Sequence, residues 1–238
     1  LPHAALWQAL YRHARRTSKT PLLVSRLPNA RHTLAAVGFI GAGANGFEQL
    51  TLAGRLMHEL VRPGVRSLQC HAVALDAGAA AASLEALASA AMAHAAPLPQ
   101  RKSKPVPGPE LHAIDVHGGR NVDLEFAQAT AAGNHLARWL TALPPNELDC
   151  VSYRRALAQL ARREGWAFRF YDERALARLG AGAFLAVSRA NEHRGAGIAR
   201  LSYRPRGARN RRRIGLVGKG ICFDTGGINL KSHKGMYQ

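Results

Sequence analysis

The chain has 238 residues, 47% of them hydrophobic, enough for one large or two modest cores and too many for wholesale disorder. Lys and Arg number 33 against 15 Asp and Glu, a formal net charge of +18. That balance fits an anionic partner such as nucleic acid, or arginines spread over a surface with compensating acid in a part of the chain not present. The arginines are scattered over positions such as 12, 15, 16, 55, 62, 66, 154, 155, 162 and 163. No recognition motif gathers them, so nucleic-acid binding is an alternative and not the favoured reading.

Cys70, Cys150 and Cys222 lie far apart with no C-x-x-C pair, which excludes a local zinc knuckle and argues for a reducing, cytoplasmic compartment. The N-terminus has no charged region followed by an apolar core, so no secretory signal is expected. It begins at Leu1 rather than methionine, which suggests a start further upstream. The alanine-rich run from Ala77 to Ala96 is broken by Ser83, Glu85, Ser89 and His94. It reads as a soluble helix packed on a sheet, with no membrane partner.

In chain order, Leu6, Trp7, Leu10 and Tyr11 fall at helical spacing opposite Arg12, Arg15 and Arg16, predicting an amphipathic helix over 4–16. Strands are expected at 22–24 and 34–40 around a turn at Pro28 and Asn29. Gly41, Gly43 and Gly46 then form a G-x-G-x-x-G pattern before a helical run over 47–60. A dinucleotide site would need an acid about 20 residues on, at the end of the next strand. Here that strand, over 64–76, ends too late, at Asp76, and Glu48 sits where a pyrophosphate would lie. A plain strand-to-helix turn is therefore favoured over a nucleotide-binding domain through Gly41–Gly46.

After the helix over 77–96, the proline-rich segment 97–109 must be an exposed loop. A short strand follows at 111–116, flanked by His112 and His117, which should face opposite sides as surface residues. The longest helical pattern, 122–143, carries Leu124, Phe126, Ala127, Ala131, Leu136, Trp139 and Leu140 as an apolar stripe and stops at Pro144 and Pro145. Beyond it come a helix over 153–164 capped by Asp149 or Ser152, a strand at 167–171, a helix at 173–179, a glycine-broken stretch at 180–187 and a strand at 198–203. The alternation predicts an α/β protein. A smaller N-terminal α/β domain (1–120) is joined by a long linking helix (121–143) to a doubly wound, mostly parallel-sheet domain (144–238).

The run over 214–223 reads as a buried central strand. Set into it and its sequel are Lys219, Asp224, the Gly226–Gly227 pair and Lys231. Buried charge must be paired or bound to metal, so spacing alone leaves two readings: a Lys219–Asp224 ion pair at a strand end, or a functional site.

The stretch VGKGICFDTGGINLK, Val217 to Lys231, resembles the active-site strand and loop of the leucyl aminopeptidase family, the two-metal cytosol aminopeptidases. The similarity extends back through the helix around Gly133–Leu140 and the Leu143–Leu148 entry, and covers about Asn121 to Gln238. It implies a metal-dependent aminopeptidase releasing leucine-like N-terminal residues from peptides. Lys219 and Asp224 would be metal ligands, Asp224 bridging two ions about 3.5–4 Å apart, and Lys231 the catalytic electrophile. The implied cofactors are two divalent metal ions, zinc or manganese, with bicarbonate in the complete enzyme; the implied assembly is a homo-oligomer, a hexamer. The family's further carboxylates, and an Asp-x-Glu pair near an arginine, have no counterpart before Gln238. The chain is therefore expected to be a fragment carrying part of the site and inactive alone, unless His193 or His233 completes it.

Overall fold

The structure is a computed structural model and describes residues 3–15, 22–120, 122–192, 194–205, 207, 213–223 and 229–236. The chain divides into two compact units, Leu1–Ala142 and Leu143–Gln238.

In the first unit, helix α1 (Ala4–Ala14) precedes strands β1 (Leu22–Arg26) and β2 (Leu34–Gly38), which pair antiparallel. The turn between them is closed by Asn29, whose side chain accepts from the Thr33 amide at 3.0 Å and donates to its hydroxyl at 3.1 Å. Helix α2 (Gly46–Leu60) leads to β3 (Ser67–His71), α3 (Ala77–Ala95), β4 (Ala113–His117) and α4 (Leu124–Thr141). Strand β3 is shorter than its apolar pattern suggests. Ala74 takes a left-handed conformation, φ 57°, and Asp76 turns back to cap α3 by accepting from the Ala79 amide. Strands β3 and β4 pair in parallel, joined through α3 as a βαβ unit. Their inward residues Leu68, Cys70, Ile114 and Val116 pack with Leu56, Met57 and Leu84 into one core. Alanines line α3 where it is buried, so α2 and α4 can both pack against it. The apolar stripe expected along α4 is mostly outside the core: Ala127 is buried, but Phe126 is 69% exposed.

The second unit opens with α5 (Cys150–Glu164), then β5 (Ala167–Asp172), α6 (Glu173–Arg178), α7 (Gly182–Ser188) and β6 (Gly197–Ser202). Helix α7 was legible only as a glycine-broken stretch. Its glycines sit at or before its first residue, so the run Ala183–Val187 is free to be helical.

The mixed α/β character is as expected. A doubly wound, mostly parallel sheet is not formed among the described residues: the three sheets are two-stranded, and β5 pairs with β6 antiparallel. The expected central strand over 214–223 is likewise absent, with Ile214 89%, Leu216 93% and Val217 103% exposed. An apolar run becomes a buried strand only where neighbours supply hydrogen bonds and cover, and β5 and β6 pair with each other instead.

Candidate functional site

Helix α5 is locally well specified. Pro144 and Pro145 forbid a helix through the preceding segment, and Asp149 accepts from the Ser152 amide at 2.7 Å while the Ser152 hydroxyl accepts from the Asp149 amide at 2.9 Å. That reciprocal cap holds the Asp149 carboxyl below its ordinary pKa, chiefly through the Ser152 backbone N–H. Gly165 ends the helix in a left-handed conformation, φ 69°.

At the other end of this unit a polar latch joins α6, α7 and the loop after α7. The buried Ser188 hydroxyl donates to Glu173 at 2.6 Å, and Arg194 binds both oxygens of the same carboxylate at 2.7 and 2.9 Å. The Ser188 bond lowers the Glu173 pKa; burial works against it, and Arg194 adds to the lowering. Sequence spacing gave no sign of this latch, because its three members come from three separate elements.

The motif residues lie in irregular chain. Lys219 is solvent-exposed between Gly218 and Gly220, and Lys231 is exposed ahead of a 3-10 turn over Lys234–Met236. The expectation of buried charge is corrected at both lysines: no covered strand forms here among the described residues, and both side chains are exposed. Asp224, the glycine pair and His193 lie outside the described residues. His233 is exposed. The segment just before Asp224 rests on α5. A Cβ placed on Gly220 would meet Tyr153 Cε1 at 3.4 Å, and the Cys222 sulfur lies 4.0 Å from the Gly220 carbonyl oxygen. Burial pushes the Cys222 thiol up to about 11, and the neighbouring Cys150 thiol and Asp149 carboxylate push the same way.

In the first unit, a cleft of about 780 Å³ is lined by residues of β1 and α2 together with His94. His94 is held below its ordinary pKa by burial, then by His58 and Arg138. This cleft contains none of the motif residues, and volume alone does not make it the site. The glycine loop before α2 lacks the dinucleotide arrangement. Asn45 and Glu48 cap the helix reciprocally at 3.0 and 2.9 Å, so the helix start is occupied by the protein's own side chains. Strand β2 also pairs with β1, not with the strand that follows α2. His112 and His117 are both at the surface, as expected, but the spacing did not reveal that His117 stacks on His71, with centroids 4.7 Å apart. Parallel register brings those two side by side.

Residues 135–238 match the model of the cytosol aminopeptidase family, catalytic domain. The matched segment is similar to that family's catalytic domain. Among curated relatives, a probable cytosol aminopeptidase of Prochlorococcus marinus is 35% identical over 134 residues, 55% of this chain and 26% of that protein. One from Parasynechococcus marenigrum is 37% identical over 136 residues, 57% of this chain and 26% of that protein. The match thus spans about a quarter of these relatives' length. The fold is also that of solved structures. The bottromycin maturation enzyme BotP in complex with Mn has a TM-score of 0.67 at 24% identity, covering 92% of this chain and 47% of that one. A tomato leucine aminopeptidase mutant gives 0.68 at 17% identity, covering 82% and 40%. The fold likeness therefore extends over most of the first unit, of which the family model covers only 135–142. These similarities do not favour the nucleic-acid reading.

Proposed function

We propose that the protein is a metal-dependent aminopeptidase that removes leucine-like N-terminal residues from peptides. The observation carrying this is the family match over residues 135–238, which includes the whole Val217–Lys231 motif. In this reading Lys231 is the electrophile. Its exposed ammonium donates to the oxygen of the scissile carbonyl, where negative charge develops as the bond is attacked. Gly218 and Gly220 keep the chain beside Lys219 free of side chains, so a ligand can approach the backbone closely.

Lys219 and Asp224 are proposed to supply two donors to divalent metal, zinc or manganese; the manganese named for BotP supports that class. The described residues do not by themselves fit such a centre: among them no three His, Cys, Asp or Glu side chains converge on one point. A hydrolytic metal needs about three protein ligands with one position left open. The proposed share of this chain is therefore part of a larger donor set, with bicarbonate as a separate group in the complete enzyme, and its 238 residues alone are expected to be inactive. The wider reading is a cytoplasmic homohexamer acting on peptides. Among the described residues no helix is long and apolar enough to cross a membrane.

The test is leucine-amide hydrolysis by the full product of the coding frame, with bound metal measured on the same sample. Metal-dependent turnover is expected, with Asp224→Asn losing metal and activity together, since an amide is a poor bridging ligand. A fully folded product that binds no zinc or manganese and cleaves no leucine amide would overturn the proposal.

A further inference from the structure

We propose that His71 and His117 form a binding site for one divalent transition-metal ion of the zinc or copper kind, which clips the ends of β3 and β4 together. They are the last residues of two parallel strands and stand directly opposite each other in the register. Their rings stack 4.7 Å apart, centroid to centroid, and 13° from parallel. The preceding residues, Cys70 and Val116, turn into the core, so the strand alternation sends both imidazoles to the outer face, where they are exposed. Parallel strands usually carry apolar residues on both faces, but this outer face holds Gln69, His71, Asp115 and His117. Neither imidazole hydrogen-bonds to a protein group among the described residues, so the ring nitrogens are open to a ligand.

The backbone holds the pair in place. The His117 carbonyl accepts from the Ala72 amide at 3.4 Å, Gly118 takes φ 87°, and a Cβ there would come within 2.9 Å of the Ala72 carbonyl oxygen. The chain leaving each histidine is pressed against the chain leaving the other, so a ligand need order little on binding. Nitrogen lone pairs lie in the ring plane, so stacked rings must tilt their edges together to share an ion. Two imidazole nitrogens bound at about 2.0–2.1 Å in tetrahedral geometry lie about 3.4 Å apart. From the present ring spacing that needs a closure of roughly 1 Å, within the broad torsional well of an imidazole. Imidazole suits zinc, copper and nickel, whereas magnesium and calcium prefer oxygen. Among the described residues no three His, Cys, Asp or Glu side chains converge, so the protein supplies two donors and water the rest. Asp115, one alternation back on the same face, adds negative charge that favours a cation there. The site shares no residue with the proposed Lys219 and Asp224 centre.

The experiment adds zinc to the metal-stripped full product of the coding frame and labels histidines briefly with diethyl pyrocarbonate, which acylates uncoordinated imidazole nitrogen. Tandem mass spectrometry reads each histidine on the tryptic peptides Ser67–Arg101 and Ser103–Arg120, with His112 on the second as internal reference. At about ten times the half-saturating zinc concentration, labelling of His71 and His117 should fall together by about tenfold. His112 should change little, and magnesium should protect neither member of the pair. In His71→Ala the zinc protection of His117 should be lost at that concentration, and His117→Ala should do the same to His71, each compared with the same variant without zinc. Undiminished labelling of both histidines in the wild-type protein would overturn the proposal. Protection of either that survives in the variant lacking the other would overturn it too, since that is adventitious zinc on a single surface histidine. The readout is specific to these residues, so failure of the aminopeptidase reading would leave the result standing, and the reverse holds.

Discussion

The core of the first unit can be tested through one pair, Leu84 and Gly119. Leu84 is fully buried, at 0% exposure, among Met57, Leu68, Cys70 and Ala91. A Cβ built on Gly119 would collide with Leu84 Cδ1 and come within 2.7 Å of Val122 Cγ2. The leucine therefore fills the space that a side chain at 119 would need. Leu84→Ala removes three buried carbons, and the facing glycine has no side chain to collapse into the hole. The cost should fall in the upper part of the usual range, about 3–5 kcal/mol. Gly119→Ala alone overpacks a site whose neighbour cannot move away, at about 1–3 kcal/mol. Combined, each change relieves the other, so the double variant should fall short of the summed losses by about 1–3 kcal/mol. Native-state hydrogen exchange of the α3 amides reads this locally and does not require the two units to unfold together. Losses that add to within about 0.5 kcal/mol would refute the packing argument.

Three further outcomes follow from other parts of the molecule. On the aminopeptidase reading, Lys231→Ala in the full product of the coding frame should lower kcat with KM little changed, by the equivalent of about 3–4 kcal/mol of transition-state stabilisation; unchanged kcat at saturating leucine amide would remove the electrophile role. The Glu173 pKa is lower folded than unfolded, so its contribution is present above the ordinary glutamate value, about 4.3, and is lost as pH falls through the folded value. Ser188→Ala should therefore flatten the acid side of the second unit's stability profile, seen as a smaller drop in unfolding midpoint between neutral and acid buffer. Asn45→Ala removes one half of the cap on α2 and should cost about 1 kcal/mol, measured as faster exchange of the amides at 46–49.

Elements set by local chemistry were legible in the sequence. Helices α2 and α5 begin where Asn45 and Asp149 can accept from an amide three residues on, and Gly165 ends α5 because it can take positive φ. Features that depend on distant partners were not legible. Nothing around His71 or His117 announces that parallel register stacks them. Nothing near Glu173 announces Ser188 and Arg194, which reach it from α7 and from the loop beyond. The α4 stripe has a helical period, but a period fixes which residues share a face and not whether another element covers that face.

The run 214–223 shows the same limit at the motif that the proposed function rests on. Its identity as a motif depends on the order of residue types around Lys219 and Lys231, which the sequence states in full. Its conformation depends on strands alongside it, because an extended segment satisfies its N–H and C=O groups only through neighbours or water. In the structure, Ile214, Leu216 and Val217 face solvent, and Gly220 approaches α5 at Tyr153. A helix can anchor one side of such a segment but cannot supply ladder hydrogen bonds. Chemistry and geometry are therefore encoded at different ranges here. Residue order carries the first, and strand partners and bound groups must supply the second. If Lys219 and Asp224 hold metal as proposed, its binding should order this segment, and protection of the amides at 216–223 from hydrogen exchange should rise when zinc or manganese is added to the full product of the coding frame. Equal protection with and without metal, in a sample shown to bind it, would mean that the segment is already fixed by its protein neighbours alone.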